Sequence, residues 1–468
     1  MDSFFDRKFW LLLSTFILIE IASAVAFFVS PLAVVFSLLI FVAVLWLSLI
    51  KLEWGMVIVL MELVVGGLGY LFALPIGDFS LSIRLIIFVA VMLAWLISLI
   101  KNRNLKPLQN KYLYALLPFL GCLILALVLA LLTGRPFAGI YSDANNYLFL
   151  FLLLPALYSR LKLETVVKVI LAGSWLTALK TATVLFLFSH HIFVLHDGFY
   201  KLIRDTGVGE IALISEPLFR IFFQSHFYNL IALFLALGLL FFIAGNRWQK
   251  VLLGLTVWLN CLVLLISQSR TFWLTAIVGL IIFAGWLIVQ KKPKQIFSLL
   301  LLLAGCLISG HLVLNLLIGD FNINLFYSRL NEGNATAGVS SRSAQIAPAL
   351  ATIIKSPIIG SGFNQTITYK SSDPRIKNNA NPEGIYTTDA LELGYLDIAL
   401  KMGILGLLSY ALFLLTLLFN LYQKSAMDKR LIGVLIGLLV LLMIHALTPY
   451  LNHPLGIGYL IVIVALLL

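Results

Sequence analysis

Charge is scarce in this sequence. Only 11% of the residues are Asp, Glu, Lys or Arg, whereas 62% are hydrophobic. A soluble globular chain carries roughly 25% charged and 45–50% apolar residues, so a water-soluble fold could not cover this much apolar surface. The apolar residues come in long unbroken runs, not in short alternating segments. That excludes a membrane barrel and points to helices, which also pair every backbone polar group inside lipid. Cysteine is equally scarce. Cys122, Cys261 and Cys306 all lie within apolar runs, which suits small buried hydrophobes and not a disulfide or metal framework. Walker A, HExxH, CxxC and DxD patterns are all missing. A phosphate-loop nucleotide site, a zinc peptidase and a metal-bound nucleotide-sugar site are therefore not indicated. A cleavable signal peptide is not apparent either, because MDSFFDRK leads into a full-length apolar span.

What is present is a repeated apolar run. Spans are expected at 9–29, 31–50, 54–76, 80–100, 112–132, 145–159, 165–189, 221–244, 251–267, 272–290, 296–319, 391–422, 431–450 and 455–468. The fold class is therefore all-α: a polytopic transmembrane bundle of about fourteen helices. The net charge of +12 does not call for nucleic acid. Of the 32 lysines and arginines, 17 fall in seven short segments that successive spans place on one face: at Arg7–Lys8, Lys51, Lys101–Lys111, Arg160–Lys162, Arg247–Lys250, Lys291–Lys294 and Lys424–Arg430. The positive-inside rule makes that side cytoplasmic. Both termini are then inside, and the long segments 190–220 and 320–390 are outside. The larger loop is expected to hold short helices, one at Ser343–Lys355, and its length suggests function.

Ionisable residues at the outer ends of spans are the functional candidates. The cations are Arg220 in EPLFRIFFQSHF, Arg270 in ISQSRTFW and Arg342 in GVSSRSAQ, with Arg329, Arg135 and Lys180 behind them. The anions are Asp389 and Glu392 in TTDALELGYLDIAL. His226 follows Arg220 closely, at the mouth of the same span. Each has a plainer reading. Arg220 and Arg270 can snorkel to the interface, and Arg342 can be a solvated loop residue. Asp389 and Glu392 have the spacing of a capping box. As a set, the arginines offer planar forks to a phosphate or diphosphate head group. A carboxylate at the same level could accept a proton from a sugar hydroxyl. His190 and His191 read as solvated loop residues.

Several stretches then resemble the O-antigen ligase and polymerase superfamily. SQSRTFWLTAIVGLIIF is similar to that domain's opening Ser-Arg pair and span. An outer loop with an arginine follows, here Arg342. Next come a Pro-(apolar)-Gly-x-Gly turn, SPIIGSGF, and a helix ending in Gly-(apolar)-(apolar)-Gly, YLDIALKMGILGL. The upstream FRIFFQSHFYNLIALFLAL is similar to the superfamily's arginine-bearing entry to a central span. The resemblance is clearest over 215–422. It divides the chain into N-terminal helices with the first outer loop (1–210), a ligase/polymerase-like domain including loop 320–390 (211–422), and C-terminal helices (423–468).

The resemblance implies a membrane glycosyltransferase of surface-polysaccharide assembly at the outer face of the bacterial inner membrane. The donor would be a polyprenyl-diphosphate-linked glycan. The acceptor would be the hydroxyl of a second lipid-linked molecule. Arg220 and Arg342 would hold the diphosphate, with Arg270 beside them, and neither metal nor cofactor is implied. A chain-length regulator or a flippase would be its protein partners. Many ligases carry a His-Asn pair where the helix after the loop begins. Glu392 falls at that His, so either Glu392 takes the base role or the base lies elsewhere, and this departure favours a polymerase over a ligase. Asp389, His226 and Arg329 are accessory candidates. The reading from a different class is a transporter or flippase of lipid-linked oligosaccharide.

Overall fold

The computed structural model describes residues 4–76, 79–243, 245–321, 334–372, 376–378 and 380–468. Among them, ten helices are long and apolar enough to cross a membrane. Two shorter apolar helices, His226–Phe242 and Pro454–Leu467, form the centre of the bundle. Every residue from His226 to Leu239 and from Pro454 to Leu466 is buried, as expected of helices that are apolar all round. The helix Ser30–Ile50 is peripheral. Only 17% of its most apolar stretch is buried, and Leu39, Val42 and Trp46 point outward, as lipid-facing side chains do. The protein is thus a multi-pass membrane protein.

Close packing at the centre depends on small residues. A Cβ on Gly433 would lie 2.5 Å from the Cα of Leu235, and one on Gly238 would lie 3.0 Å from the nitrogen of Gly433. The glycine pair lets His226–Phe242 and Ile432–Leu447 approach at backbone distance, which membrane helices use in place of hydrophobic drive. Charges inside the bundle are matched locally. Arg84 donates to both carboxylate oxygens of Glu62, at 2.8 and 3.0 Å, and to the carbonyl of Gly67. Lys168 pairs with Asp6 and Glu164, and Lys180 with Glu20.

Each expected run contains a helix, but three are shifted. The run 54–76 stops as a helix at Val65. Gly66 and Gly67 turn the chain, Gly67 at φ +58°, into a hairpin of Ala73–Ile76 with Phe79–Ser82. The run 145–159 follows a short helix, Phe137–Ala144, and is tightly wound over Asn145–Leu152 before Leu153–Leu157. The run 221–244 opens as a strand. Leu218–Phe223 pairs antiparallel with Gly209–Ser215, and the helix starts at His226. Its β-branched and aromatic residues favour a pleated, half-buried surface. The first long outer segment therefore folds as a helix, Gly198–Asp205, and a hairpin. The basic segments Lys101–Lys111 and Lys424–Arg430 share one end of the bundle. There Lys111 donates to Asn420, Lys424 donates to the carbonyl of Leu466, and Lys429 lies over the ring of Trp286.

At the other end, the helix expected over Ser343–Lys355 begins earlier and spans Asn334–Lys355. Ser341, Gln345 and Ala349, spaced by four, form its buried face. A small separate core joins Ala349 to Ile367, Tyr369, Leu391 and Leu400. Ile367 and Tyr369 belong to a hairpin of Ile367–Lys370 with Ile385–Thr388.

The last long element, Gly394–Met427, is broken at Gly403, which has φ 64° and ψ −165°. A break at membrane depth frees backbone groups that lipid cannot satisfy. Here the turn Pro357–Gly362 satisfies them. Ser361 and Gly362 donate to the carbonyls of Leu400 and Lys401, both at 2.9 Å. In return Ile404 and Leu405 donate to those of Pro357 and Ile358, at 2.9 and 3.1 Å. The two glycine motifs of the sequence are thus the two halves of one backbone joint. Its other face rests on Lys111–Leu132, where Phe363 donates to the carbonyl of Ala126. Arg135 closes it by donating to the carbonyls of Gly362 and Phe363 and to Gln365 Oε1.

Candidate active site

Arg342 and Glu392 come together. Arg342 Nε lies 2.8 Å from Glu392 Oε2, with the two side chains 30% and 43% exposed. Arg342 sits on Asn334–Lys355, one residue from the buried Ser341 that anchors this helix. Glu392 sits in the turn before Gly394–Met427. Gln345 couples the two elements. Its Oε1 accepts from the Glu392 amide at 3.1 Å, and its Nε2 donates to the hydroxyl of Tyr369 at 3.1 Å. Ser341 Oγ lies 3.2 Å from the same hydroxyl. The carboxylate is thereby fixed beside a guanidinium yet open to solvent.

The capping-box reading of Asp389 and Glu392 is overturned. The N-cap of the helix is Leu393, which makes no side-chain capping bond. Because the helix starts at Gly394, Glu392 falls one residue outside the cap, and its side chain turns to Arg342. Asp389 lies in the bend after the second hairpin strand and bonds to no described residue. Arg329 lies outside the described residues.

Arg220 and Arg270 form a second group. Arg220 is within the strand Leu218–Phe223, opposite Ala212. Its Nε donates to the carbonyl of Ser267 at 3.0 Å, its Nη1 is 3.9 Å from Glu210 Oε2, and its guanidinium lies 5.0 Å from the ring of Phe222. Ser267 ends the helix Arg247–Ser267, and Arg270 opens the next, Arg270–Val289. The chain reverses between them through Gln268, in the left-handed region at φ 47°. Phe222 packs on Phe272 at 5.7 Å, and Phe272 on Tyr450 at 6.0 Å.

His226 belongs to neither group's open surface. It is fully buried. Its Nδ1 accepts from the Phe223 amide at 3.3 Å, which leaves Nε2 to face Thr181 Oγ1 at 2.9 Å. This arrangement ties the strand's end to the helix Leu163–Ser189. His226 is thus engaged as a structural tie in this arrangement. Lys180 and Arg135, the weaker cations, are likewise engaged, by Glu20 and by the turn after Gly360.

Sequence reasoning missed the most buried charge cluster near the site. Lys401 lies between Asp397 and Asp143, and all three are nearly inaccessible. The signal was present: two unlike charges, one turn apart, inside the apolar run YLDIALKMGILGL. Gln345 gave no comparable signal, since a glutamine in a polar loop helix is unremarkable until its partners are known.

No curated protein matches the chain. Residues 255–411 match the family model described as O-antigen ligase. The matched segment contains Arg270, Arg342, Glu392 and the backbone joint at Gly403. Arg220 and Asp143 lie outside it. Members of this family are glycosyltransferase-type enzymes, and the match supports membrane glycosyltransferase activity of the ligase and polymerase type. Residues 255–411 are thus similar to the O-antigen ligase family, and they sit on a multi-pass helical scaffold.

Proposed function

We propose that the protein is a surface-polysaccharide polymerase. It transfers a glycan from a polyprenyl-diphosphate donor to a hydroxyl of a second lipid-linked acceptor, at the outer face of the inner membrane. The basic end of the bundle is cytoplasmic by the positive-inside rule. The observation that carries the reading is the half-exposed Arg342–Glu392 pair. The guanidinium offers bidentate bonds to the diphosphate, and it offsets the charge that builds on the departing group. When the diphosphate occupies Arg342, Glu392 is released from its ion pair. It can then take the proton of the acceptor hydroxyl as that oxygen attacks the anomeric carbon. Arg220 and Arg270 supply further positive charge for the same leaving group.

The test is the chain-length ladder of polymer made in cells. Arg220→Ala and Arg342→Ala remove polymer without lowering membrane levels of the protein, and normal ladders from both sink the reading. Glu392→Gln keeps the size and the backbone bond to Gln345 but loses the base, so activity falls. The ligase description of the matched family favours a second reading, transfer to lipid A-core. Product attached to that acceptor, in place of longer polymer, would establish it. A transporter would place charges along a path through the bilayer. The pairs Arg84–Glu62, Lys168–Asp6 and Lys180–Glu20 are instead neutralised in place. Movement of labelled lipid-linked glycan across liposomes, with no change in glycan length, would favour the transporter.

A further inference from the structure

Lys401 Nζ lies 2.5 Å from Asp143 Oδ1 and 2.7 Å from Asp397 Oδ1. The other carboxylate oxygens are also engaged. The Asn364 amide donates to Asp143 Oδ2 at 2.8 Å, and Asn452 Nδ2 donates to Asp397 Oδ2 at 2.8 Å. One ammonium thus joins the helix Phe137–Ala144, the chain after the Gly-Ser-Gly turn, the outer segment of the last long helix and the turn Tyr450–Asn452. A buried cluster in which each carboxylate oxygen meets a hydrogen-bond donor or the Lys401 ammonium is a rigid cross-link.

Its position gives the cross-link a consequence. Gly403 interrupts the helix two residues after Lys401, so residues 394–402 are not held by continuous helical bonding to the rest of the span. The N-terminal end of this segment is Gly394, two residues after Glu392, where the Tyr395 hydroxyl donates to the carbonyl of Leu442 at 2.9 Å. Arg342 sits on a separate helix. Rotation of 394–402 about its own axis would carry Glu392 away from Arg342.

We propose that Lys401 is a positioning residue: by pinning 394–402 between Asp143 and Asp397, it sets Glu392 against Arg342 without touching substrate. Its kinetic consequence rests on the proposed transferase function. Misplacement of a reacting group by about 1 Å costs on the order of 100-fold in rate. Lys401→Met in the full-length protein is therefore expected to lower kcat at least about tenfold while KM for a lipid-linked glycan donor stays within about twofold, the pattern of a lost transition-state interaction. Hydrogen exchange at amides 391–400 is expected to speed up in parallel.

Lys401→Met leaves two carboxylates facing each other and can fail to fold. The charge swap Asp143→Lys with Lys401→Asp keeps a cation between two carboxylates, and it is expected to restore both kcat and slow exchange. A folded Lys401→Met protein with wild-type kcat and exchange overturns the proposal. So does a folded swap variant that restores neither. If the wild-type protein transfers no glycan at all, the transferase reading fails by itself. Exchange then still decides the positioning role: faster exchange in Lys401→Met supports it, and unchanged exchange overturns it.

Discussion

The backbone joint at Gly403 gives the sharpest test of the fold. A Cβ on Gly403 would sit 2.2 Å from the carbonyl oxygen of Ile358, and one on Gly360 would sit 2.4 Å from both Lys401 C and Met402 N. These neighbours are backbone atoms and cannot rotate away. Both glycines also have positive φ, and the φ/ψ pair at Gly403 is essentially glycine-only, costing any other residue of order 1–3 kcal/mol. Separating the turn from the helix forfeits up to four exchanged backbone bonds, each worth about 1 kcal/mol net and more if its groups stay buried without a partner. Gly403→Ala is thus expected to cost about 3–6 kcal/mol. Gly285 provides the control. It lies within Arg270–Val289 with nothing within 4 Å of a Cβ, so Gly285→Ala should be neutral or stabilise by up to ~1 kcal/mol. The assay is thermal unfolding of detergent-purified protein, with the folded fraction by size exclusion. A Gly403→Ala protein that melts with the wild type would refute the joint and the idea that the two glycine motifs serve one structure.

Three further outcomes can be checked. Gln345→Leu removes both the acceptor for the Glu392 amide and the donor to Tyr369, so polymer formation should fall more than the melting temperature does; equal loss of both would assign Gln345 to stability alone. Thr181→Val removes the partner of His226 Nε2 in a fully buried site, which costs about 1–3 kcal/mol; detergent melting should show that loss, and chain length should not change in the protein that remains. Bonding to Arg430 holds the Asp428 carboxyl below its ordinary value of 3.8, against the opposing effect of burial. A depressed carboxylate contributes stability that is present above its unfolded value and is lost as pH falls through the folded one. For this half-exposed pair the contribution is about 0.5–1 kcal/mol, so melting curves of wild type and Asp428→Asn should differ at about pH 6 and converge as the pH falls below 3.8 through the lowered folded-state value.

The bundle was legible because apolar run length is a direct physical requirement of the bilayer. Where it misled, local chemistry overrode hydropathy. Phe219 to Phe223 are apolar enough to join the following helix, yet they pair with Glu210 and its neighbours as a strand, since hydropathy does not record pairing. Asp389 and Glu392 had capping-box spacing, but the N-cap is Leu393, four residues after Asp389 and one after Glu392, so neither caps the helix. The pairing of Arg342 with Glu392 could not be read from the chain, because it depends on Gln345 and Tyr369 closing a loop core. The turn SPIIGSGF and the run KMGILGL were each visible. That one supplies the backbone partners of the other is a tertiary fact.

Two kinds of ion pair flank the segment that leads from Glu392 to Gly403, and their energies assign them different work. Breaking a buried pair by removing one partner costs about 3–5 kcal/mol, because the remaining charge is stranded away from water. Lys401, with its side chain 2% exposed, is in that class and cannot be drawn off by a substrate. A half-exposed pair is worth about 0–1 kcal/mol. Glu392, 43% exposed beside Arg342, is in that class. On the proposed function, an arriving diphosphate offers Arg342 more charge and a bidentate contact, enough to displace so weak a partner. The buried cluster can therefore serve only as a fixed support, whereas the exposed pair can open on binding. That difference is what a transferase needs if the carboxylate that neutralises its arginine at rest is also to become the base once the donor has taken the arginine.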